Sequence, residues 1–250
     1  MSTKHPCCPP GSLGKSNATC HSKGLTFNIG GERVYITGNG PKTVIYIYDI
    51  YGFNGGHTQK MLDELASQGF TVVMPDIMHG DAWGEEAPVD EKCFKWILDK
   101  KAAPVVKYVS ESLLPVLKSL GKTEFAAAGS CMGAWLAVHL CVAIKEIKLG
   151  VSFHPSYQIE DMQGGKFPEL AAQVTQPQIL FPAGNDPADV KPNGSLIALW
   201  AEKTGGKVES YPMETEQHGY MNRGDLSQDH TLKAYEETLH LTGNFLKKYL

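Results

Sequence analysis

From Phe125 to Ile144 the chain runs twenty residues without a formal charge. A stretch of that length either crosses a membrane as one helix or lies wholly inside a folded core. A spanning helix should run unbroken, yet this stretch carries Gly129-Ser130-Cys131-Met132-Gly133 near its start and His139 further on. No other segment offers it a partner span, so length alone does not establish a transmembrane segment. The alternative divides the stretch into a buried strand (Phe125 to Ala128), a five-residue turn and a buried helix from Ala134 to Ile144. A chain of 250 residues, 42% hydrophobic and 20% charged, is long enough to bury both elements in one core.

The surrounding sequence fits that division. Leu25 to Ile29 and Arg33 to Thr37 alternate apolar and polar about Gly30-Gly31, as a hairpin with one solvated face does. Short apolar runs then recur at Val44 to Tyr48, Phe70 to Met74, Phe125 to Ala128, Leu149 to Phe153 and Gln178 to Phe181, apolar on both faces, as in parallel strands covered by helices. Lys207 to Tyr211 adds an edge strand. Helical patterns separate them at His57 to Gln68, Glu91 to Lys100, Val105 to Leu120, Ala134 to Lys145, Ser195 to Thr204 and Leu232 to Leu250. The expectation is one α/β domain over residues 24–250, a mostly parallel central sheet with helices on both faces, preceded by an irregular tail over residues 1–23.

Charge and cysteine usage narrow the partners. Twenty-seven acids against 23 bases give a net charge of −4 with no basic run, which leaves nucleic acid without a phosphate-neutralising surface. Six irregularly spaced cysteines do not make a disulfide framework, and the first residues lack a secretory pattern, so a reducing cytoplasmic setting is expected. Cys7, Cys8, Cys20 and His21 can be drawn as a zinc set, but an adjacent Cys-Cys pair lacks the spacing that lets two thiolates converge on one metal, and no metal is expected there.

The turn at the centre of the uncharged stretch has the form Gly-x-Cys-x-Gly, the nucleophile elbow of the α/β-hydrolase fold with Cys131 in place of the usual serine. Residues two before and two after the nucleophile crowd the backbone, and glycine meets that need at 129 and 133. Centring the elbow on Ser130 would instead put Met132 in a small-residue position. A thiol at a helix start is favoured as thiolate by the helix amides, and the N–H of Met132 can receive an oxyanion. The order nucleophile, acid, histidine then selects Asp186, with Asp189 in reserve, in the loop after Gln178 to Phe181. It selects His218 before the last helix, over His230 and His240, as general base.

These residues resemble the Cys, Asp and His motifs of the dienelactone hydrolase (carboxymethylenebutenolidase) family: Gly129 to Gly133, Gly184-Asn185-Asp186 and His218-Gly219-Tyr220. The likeness extends to Asp49-Ile50-Tyr51-Gly52-Phe53-Asn54, to Met74-Pro75-Asp76 with His79-Gly80-Asp81, and at His154-Pro155-Ser156 to the eukaryotic branch. It implies an α/β-hydrolase without a large lid that cleaves a small ester or lactone with no metal or organic cofactor. It also implies that the amide of Ile50 joins that of Met132 as oxyanion donor. Asp49 stands where the family usually has Glu, beside the resting cysteine, and is one methylene shorter. The arginine expected after Pro75-Asp76 to hold a substrate carboxylate is replaced by His79-Gly80-Asp81, while Arg223, one of two arginines in the chain, is a candidate anion binder. Tyr51, Trp83, Trp135 and Tyr220 are candidate pocket walls. The expected substrate is a small ester or lactone, with or without a carboxylate, and the expected assembly a monomer or small homo-oligomer. Two other readings share the fold: a ligand-binding or redox-sensing protein in which Cys131 performs no turnover, and a thioesterase or peptidase acting on larger acyl groups.

Overall fold

The computed structural model describes Cys8, Pro9, residues 11–13 and residues 22–250. The alternating N-terminal segments form the hairpin β1 (Leu25–Ile29) and β2 (Glu32–Thr37). The apolar runs become β3 (Lys42–Ile47), β4 (Thr71–Pro75), β5 (Glu124–Cys131), β6 (Ile147–Pro155), β7 (Gln178–Phe181) and β8 (Val208–Ser210). They make one eight-stranded sheet in the order β1-β2-β4-β3-β5-β6-β7-β8. The β1–β2 and β2–β4 pairings are antiparallel and all the others parallel. A mostly parallel sheet needs cover on both faces, which is why β3 and β5 are buried almost end to end.

The helices are α1 (Thr58–Ala66), α2 (Glu91–Leu98), α3 (Ala102–Tyr108), α4 (Leu114–Ser119), α5 (Met132–Ala143), α6 (Ile159–Met162), α7 (Phe167–Ala171), α8 (Ser195–Thr204), α9 (Tyr220–Arg223) and α10 (Asp229–Tyr249). In α10 the buried positions Thr231, Ala234, Tyr235, Thr238, Leu239, Thr242, Phe245 and Leu246 recur every three or four residues, the stripe of a helix with one face on the core. By contrast α5 is apolar all round, with Met132 through Val138, Leu140 and Cys141 all buried. The twenty uncharged residues are thus a central strand and the helix that follows it, and among the described residues no helix is long and apolar enough to cross a membrane.

Two details differ from the sequence expectation. The turn between Ala128 and Ala134 is absorbed into its neighbours: β5 runs on to Cys131 and α5 starts at Met132, so the chain reverses at one residue. The single helix expected over residues 105–120 is interrupted by a widened π turn over Val109–Leu113 between α3 and α4. Pro115 has no N–H to return to the carbonyl four residues back, and the wider turn absorbs that loss.

Candidate active site

The reversal at the end of β5 puts Cys131 at φ 54° and ψ −117°, a conformation that costs a non-glycine residue on the order of 1–3 kcal/mol and is held only by its surroundings. Those surroundings are glycine backbones in contact. A Cβ on Gly129 would fall 2.2 Å from the Gly133 carbonyl group, and one on Gly133 would fall 2.0 Å from the Ile47 oxygen. The elbow therefore requires both glycines by close approach.

Three loops at the carboxyl ends of the parallel strands converge on the Cys131 sulfur. Ser156, just past β6, donates its N–H to the Cys131 carbonyl at 3.1 Å, and its Oγ lies 3.3 Å from Cys131 Sγ. The Ser156 Oγ is also 3.5 Å from His218 Nε2. His218 lies between β8 and α9, where its N–H donates to Asn185 Oδ1 at 2.7 Å. On the other side of the ring, Nδ1 donates to Asp186 Oδ1 at 2.6 Å, and Asp186 Oδ2 accepts from the Ala183 N–H at 2.7 Å. All of Cys131, His218 and Asp186 are buried. The structure thus brings together the three residues picked from the sequence; the reserve acid Asp189 sits on a short 3-10 turn over Ala188–Val190, exposed.

The electrostatics hold the thiol neutral at rest and favour the imidazolium once the thiol proton has moved to His218. Burial works against the His218 imidazolium, but the Asp186 carboxylate and Cys131, as thiolate, outweigh it and raise His218 from 6.5 to about 10. Cys131 is pushed well above the ordinary thiol value, first by its contact with Cys8 and then by burial, with His218 pulling the other way. Helix amides alone suggest a thiolate here; the second sulfur and the dry setting reverse that in the resting protein.

The second sulfur comes from the N-terminal tail. Cys8 Sγ lies 3.8 Å from Cys131 Sγ, both buried. The tail is hung in place at Leu13, whose N–H donates to the His218 carbonyl at 2.8 Å and whose carbonyl accepts from Arg223 Nε at 2.7 Å. Arg223 is buried, forms an ion pair with Asp49 through Nη1, and lies 4.3 Å from the centre of the Tyr51 ring. Asp49 in turn accepts from the Tyr51 N–H at 2.9 Å. Asp49, Tyr51 and Arg223 are therefore one buried cluster beside the elbow. Ile50 follows β3, the strand paired with β5, and Met132 is the residue after Cys131, at the start of α5.

The remaining candidates point elsewhere. Trp135 donates to Glu160 at 2.7 Å and packs edge-on to His139, toward α6. Trp83 packs on Trp96, while its backbone N–H donates to the Ile50 carbonyl at 2.8 Å. Tyr220 bonds Thr238 of α10 at 2.8 Å and packs against His154, whose ring lies 4.8 Å from that of His218. Of the residues that do meet the sulfur, sequence reasoning gave no role to Ser156 or Cys8. The signal for Ser156 was its place directly after a parallel strand; nothing in the tail's pattern marks Cys8. Of the zinc set drawn there, Cys7, Cys20 and His21 lie outside the described residues.

Beside the site is a cavity of about 620 Å³, bordered by Pro155 at the end of β6, Tyr157 just past it, Phe167 and Pro168 of α7, and Asn185 and Pro187 after β7. Its ionisable lining residues are Asp161 and Asp189, and Pro9 of the tail closes one edge. Among the described residues, the atoms placed to hold a metal are those of Cys8, Cys131 and His218, all within 4.8 Å of one another.

A mostly parallel sheet whose central strand ends on a strained residue under a buried helix, with an acid and a histidine brought in by later loops, defines an α/β-hydrolase. The model of the dienelactone hydrolase family matches residues 33–250, and the chain belongs to that family. A carboxymethylenebutenolidase homolog of Xenopus tropicalis is 29% identical over 115 residues, 45% of this chain and 46% of that protein. The chain spans about half the length of the first curated relatives it matches. The Mus musculus carboxymethylenebutenolidase homolog is 26% identical over 214 residues, 84% of this chain and 83% of its own. The fold is shared with the Pyrococcus furiosus esterase Pf2001, at TM-score 0.58 and 16% identity over 96% of this chain and 99% of that one.

Proposed function

We propose that the protein hydrolyses small uncharged esters or lactones by acyl transfer through Cys131, with residues 24–250 as the hydrolase domain. The observation that carries this is the placement of Cys131, His218 and Asp186 at one strained elbow, with Nδ1 of His218 on Asp186 and Nε2 facing the sulfur side.

His218 takes the thiol proton, directly or through the Ser156 hydroxyl that lies between them. The thiolate attacks the substrate carbonyl carbon, and the N–H groups of Met132 and Ile50 receive the oxyanion. Collapse breaks the ester C–O bond, and the imidazolium returns its proton to the leaving oxygen. A water deprotonated by His218 then attacks the thioester, releasing the acid and the free thiol. Asp186 holds the ring orientation and stabilises its charge throughout.

The cavity beside the triad, whose lining holds none of Cys131, His218 and Asp186, supports a small substrate. Its volume lies in the range of small-molecule sites, its walls are proline and aromatic, and its charged residues are acids. Arg223, the candidate anion binder, is spent on Asp49 and the Leu13 carbonyl. Among the described residues, that lining offers a carboxylate-bearing substrate no cation. A free thiol nucleophile also suits a reducing compartment, which supports a cytoplasmic location.

The test is a panel of neutral and carboxylate-bearing aryl esters and lactones, run with wild type, Cys131→Ala and Cys131→Ser. Turnover of the neutral members, lost in Cys131→Ala with an unchanged melting curve, is expected. Wild-type turnover that survives in Cys131→Ala contradicts the assignment.

A further inference from the structure

We propose that Cys8, Cys131 and His218 form a binding site for Zn²⁺, and that the bound ion holds the enzyme in an inactive form. The assignment rests on the position of the donor atoms; only the predicted inhibition draws on the hydrolase reading.

The donors are two thiols and an imidazole, buried and within 4.8 Å of one another. Magnesium and calcium take oxygen ligands, whereas a sulfur, sulfur, nitrogen set selects zinc and related thiophilic ions. The sulfur–sulfur spacing agrees with tetrahedral coordination. Two sulfurs at about 2.3 Å from a zinc ion stand about 3.8 Å apart at the tetrahedral angle. Cys8 Sγ and Cys131 Sγ are 3.8 Å apart, far beyond the roughly 2.05 Å of a disulfide. Ser156 Oγ, 3.3 Å from Cys131 Sγ and 3.5 Å from His218 Nε2, stands beside the fourth corner.

The supporting contacts are those of a metal-ligating histidine. Nδ1 of His218 is committed to Asp186 at 2.6 Å, which fixes the tautomer that leaves Nε2 for the ion. Two thiolates and Zn²⁺ sum to zero and the neighbouring Asp49–Arg223 pair sums to zero, which leaves the Asp186 carboxylate, hydrogen-bonded to His218 Nδ1, as the one uncompensated charge beside the loaded site. Binding requires both thiols and His218 Nε2 in their deprotonated forms, and the protons they held are released to solvent. The Leu13 contacts to His218 and Arg223 account for a tail segment held in register over a catalytic pocket: they deliver the Cys8 sulfur. With the ion bound, the sulfur that attacks and the nitrogen that takes its proton are both ligands, and hydrolysis stops until the ion is removed.

The test uses the full-length reduced protein, stripped with a chelator, as wild type, Cys8→Ser and Cys7→Ser. Each is titrated with Co²⁺, read as thiolate-to-cobalt absorption in the near ultraviolet, and with Zn²⁺ in competition with a chromophoric chelator. Melting curves check folding. The wild type and Cys7→Ser are expected to bind one equivalent and show the cobalt–thiolate band. In Cys8→Ser the band falls to about half and zinc affinity drops roughly tenfold or more. Zinc should stop ester hydrolysis by the wild type at one equivalent, reversed by chelator, with Cys8→Ser needing at least about ten times more. Absence of the band in the wild type, or equal zinc affinity in wild type and Cys8→Ser, overturns the site. A site that binds zinc through Cys8 without slowing hydrolysis leaves the metal assignment standing and overturns the inhibitory role, and with it the role of Cys131 as nucleophile.

Discussion

Asp186→Asn removes one charge and little volume from the centre of the site. Asp186 Oδ1 accepts from His218 Nδ1 at 2.6 Å and Oδ2 from the Ala183 N–H at 2.7 Å, so an asparagine that keeps the backbone bond presents its NH₂ to the ring. The imidazole must then take the other tautomer, with its proton on Nε2 where the base has to be free. The imidazolium also loses its main support. His218 is raised from 6.5 to about 10 although burial opposes it, and Asp186 is first among the groups that raise it. At about 1.36 kcal/mol per unit, the net effect is on the order of 5 kcal/mol, of which Cys131 supplies a part. Taking Asp186 as the larger part, the substitution should raise the barrier by about 3–4 kcal/mol, roughly a hundredfold to a thousandfold in kcat. Steady-state hydrolysis of a neutral nitrophenyl ester measures it, with a melting curve for each variant and Asp189→Asn as the control expected to match wild type. Because the lost interaction forms with the charged ring in the transition state, kcat should carry the loss and KM stay near its wild-type value. A kcat within threefold of wild type would refute the reasoning.

Three further outcomes follow from the same contacts. Since the folded-state value of His218 lies above its ordinary 6.5, its contribution to stability is complete below about pH 6.5 and is lost as pH rises toward about 10; the wild-type melting temperature should fall across that window, and Asp186→Asn should flatten the fall. Gly133→Ala places a Cβ 2.0 Å from the Ile47 oxygen, so a loss of about 3 kcal/mol or more in denaturant unfolding is expected together with loss of turnover; a wild-type midpoint would contradict the elbow packing. Asp49→Asn leaves the buried Arg223 guanidinium without its counter-charge and should destabilise the fold by about 3–5 kcal/mol, whereas a surface role for Arg223 predicts almost no change.

The framework was legible because its signals are local. Apolar runs such as Val44 to Tyr48 and the alternation of Leu25 to Ile29 report which faces are buried, and each became a strand. The pattern Gly129-x-Cys131-x-Gly133 reports a steric need at fixed spacing, and the order of Asp186 and His218 behind it follows from the fold. What the sequence hides are contacts made across long separations. Cys8 meets Cys131 only because Leu13 is hung from His218 and Arg223, and no periodicity encodes that. Arg223 is a candidate anion binder in the sequence because its partner, Asp49, lies 174 residues away along the chain. Trp135 looked like a pocket wall from its nearness to Cys131 in sequence, but a helix turns each successive side chain by about 100°, and this one faces α6.

The central claim is that an acyl group passes through the sulfur of Cys131. Mixing the protein with a neutral activated ester, quenching in acid within the first turnover and mapping the digest by mass spectrometry tests it directly. The account predicts one acyl increment on the peptide that carries Cys131, formed and lost at rates matching turnover, and absent in Cys131→Ala. Turnover with the acyl group on Ser130 or Ser156 instead, or with no covalent adduct on Cys131 at any quench time under conditions that make deacylation slow, would contradict it.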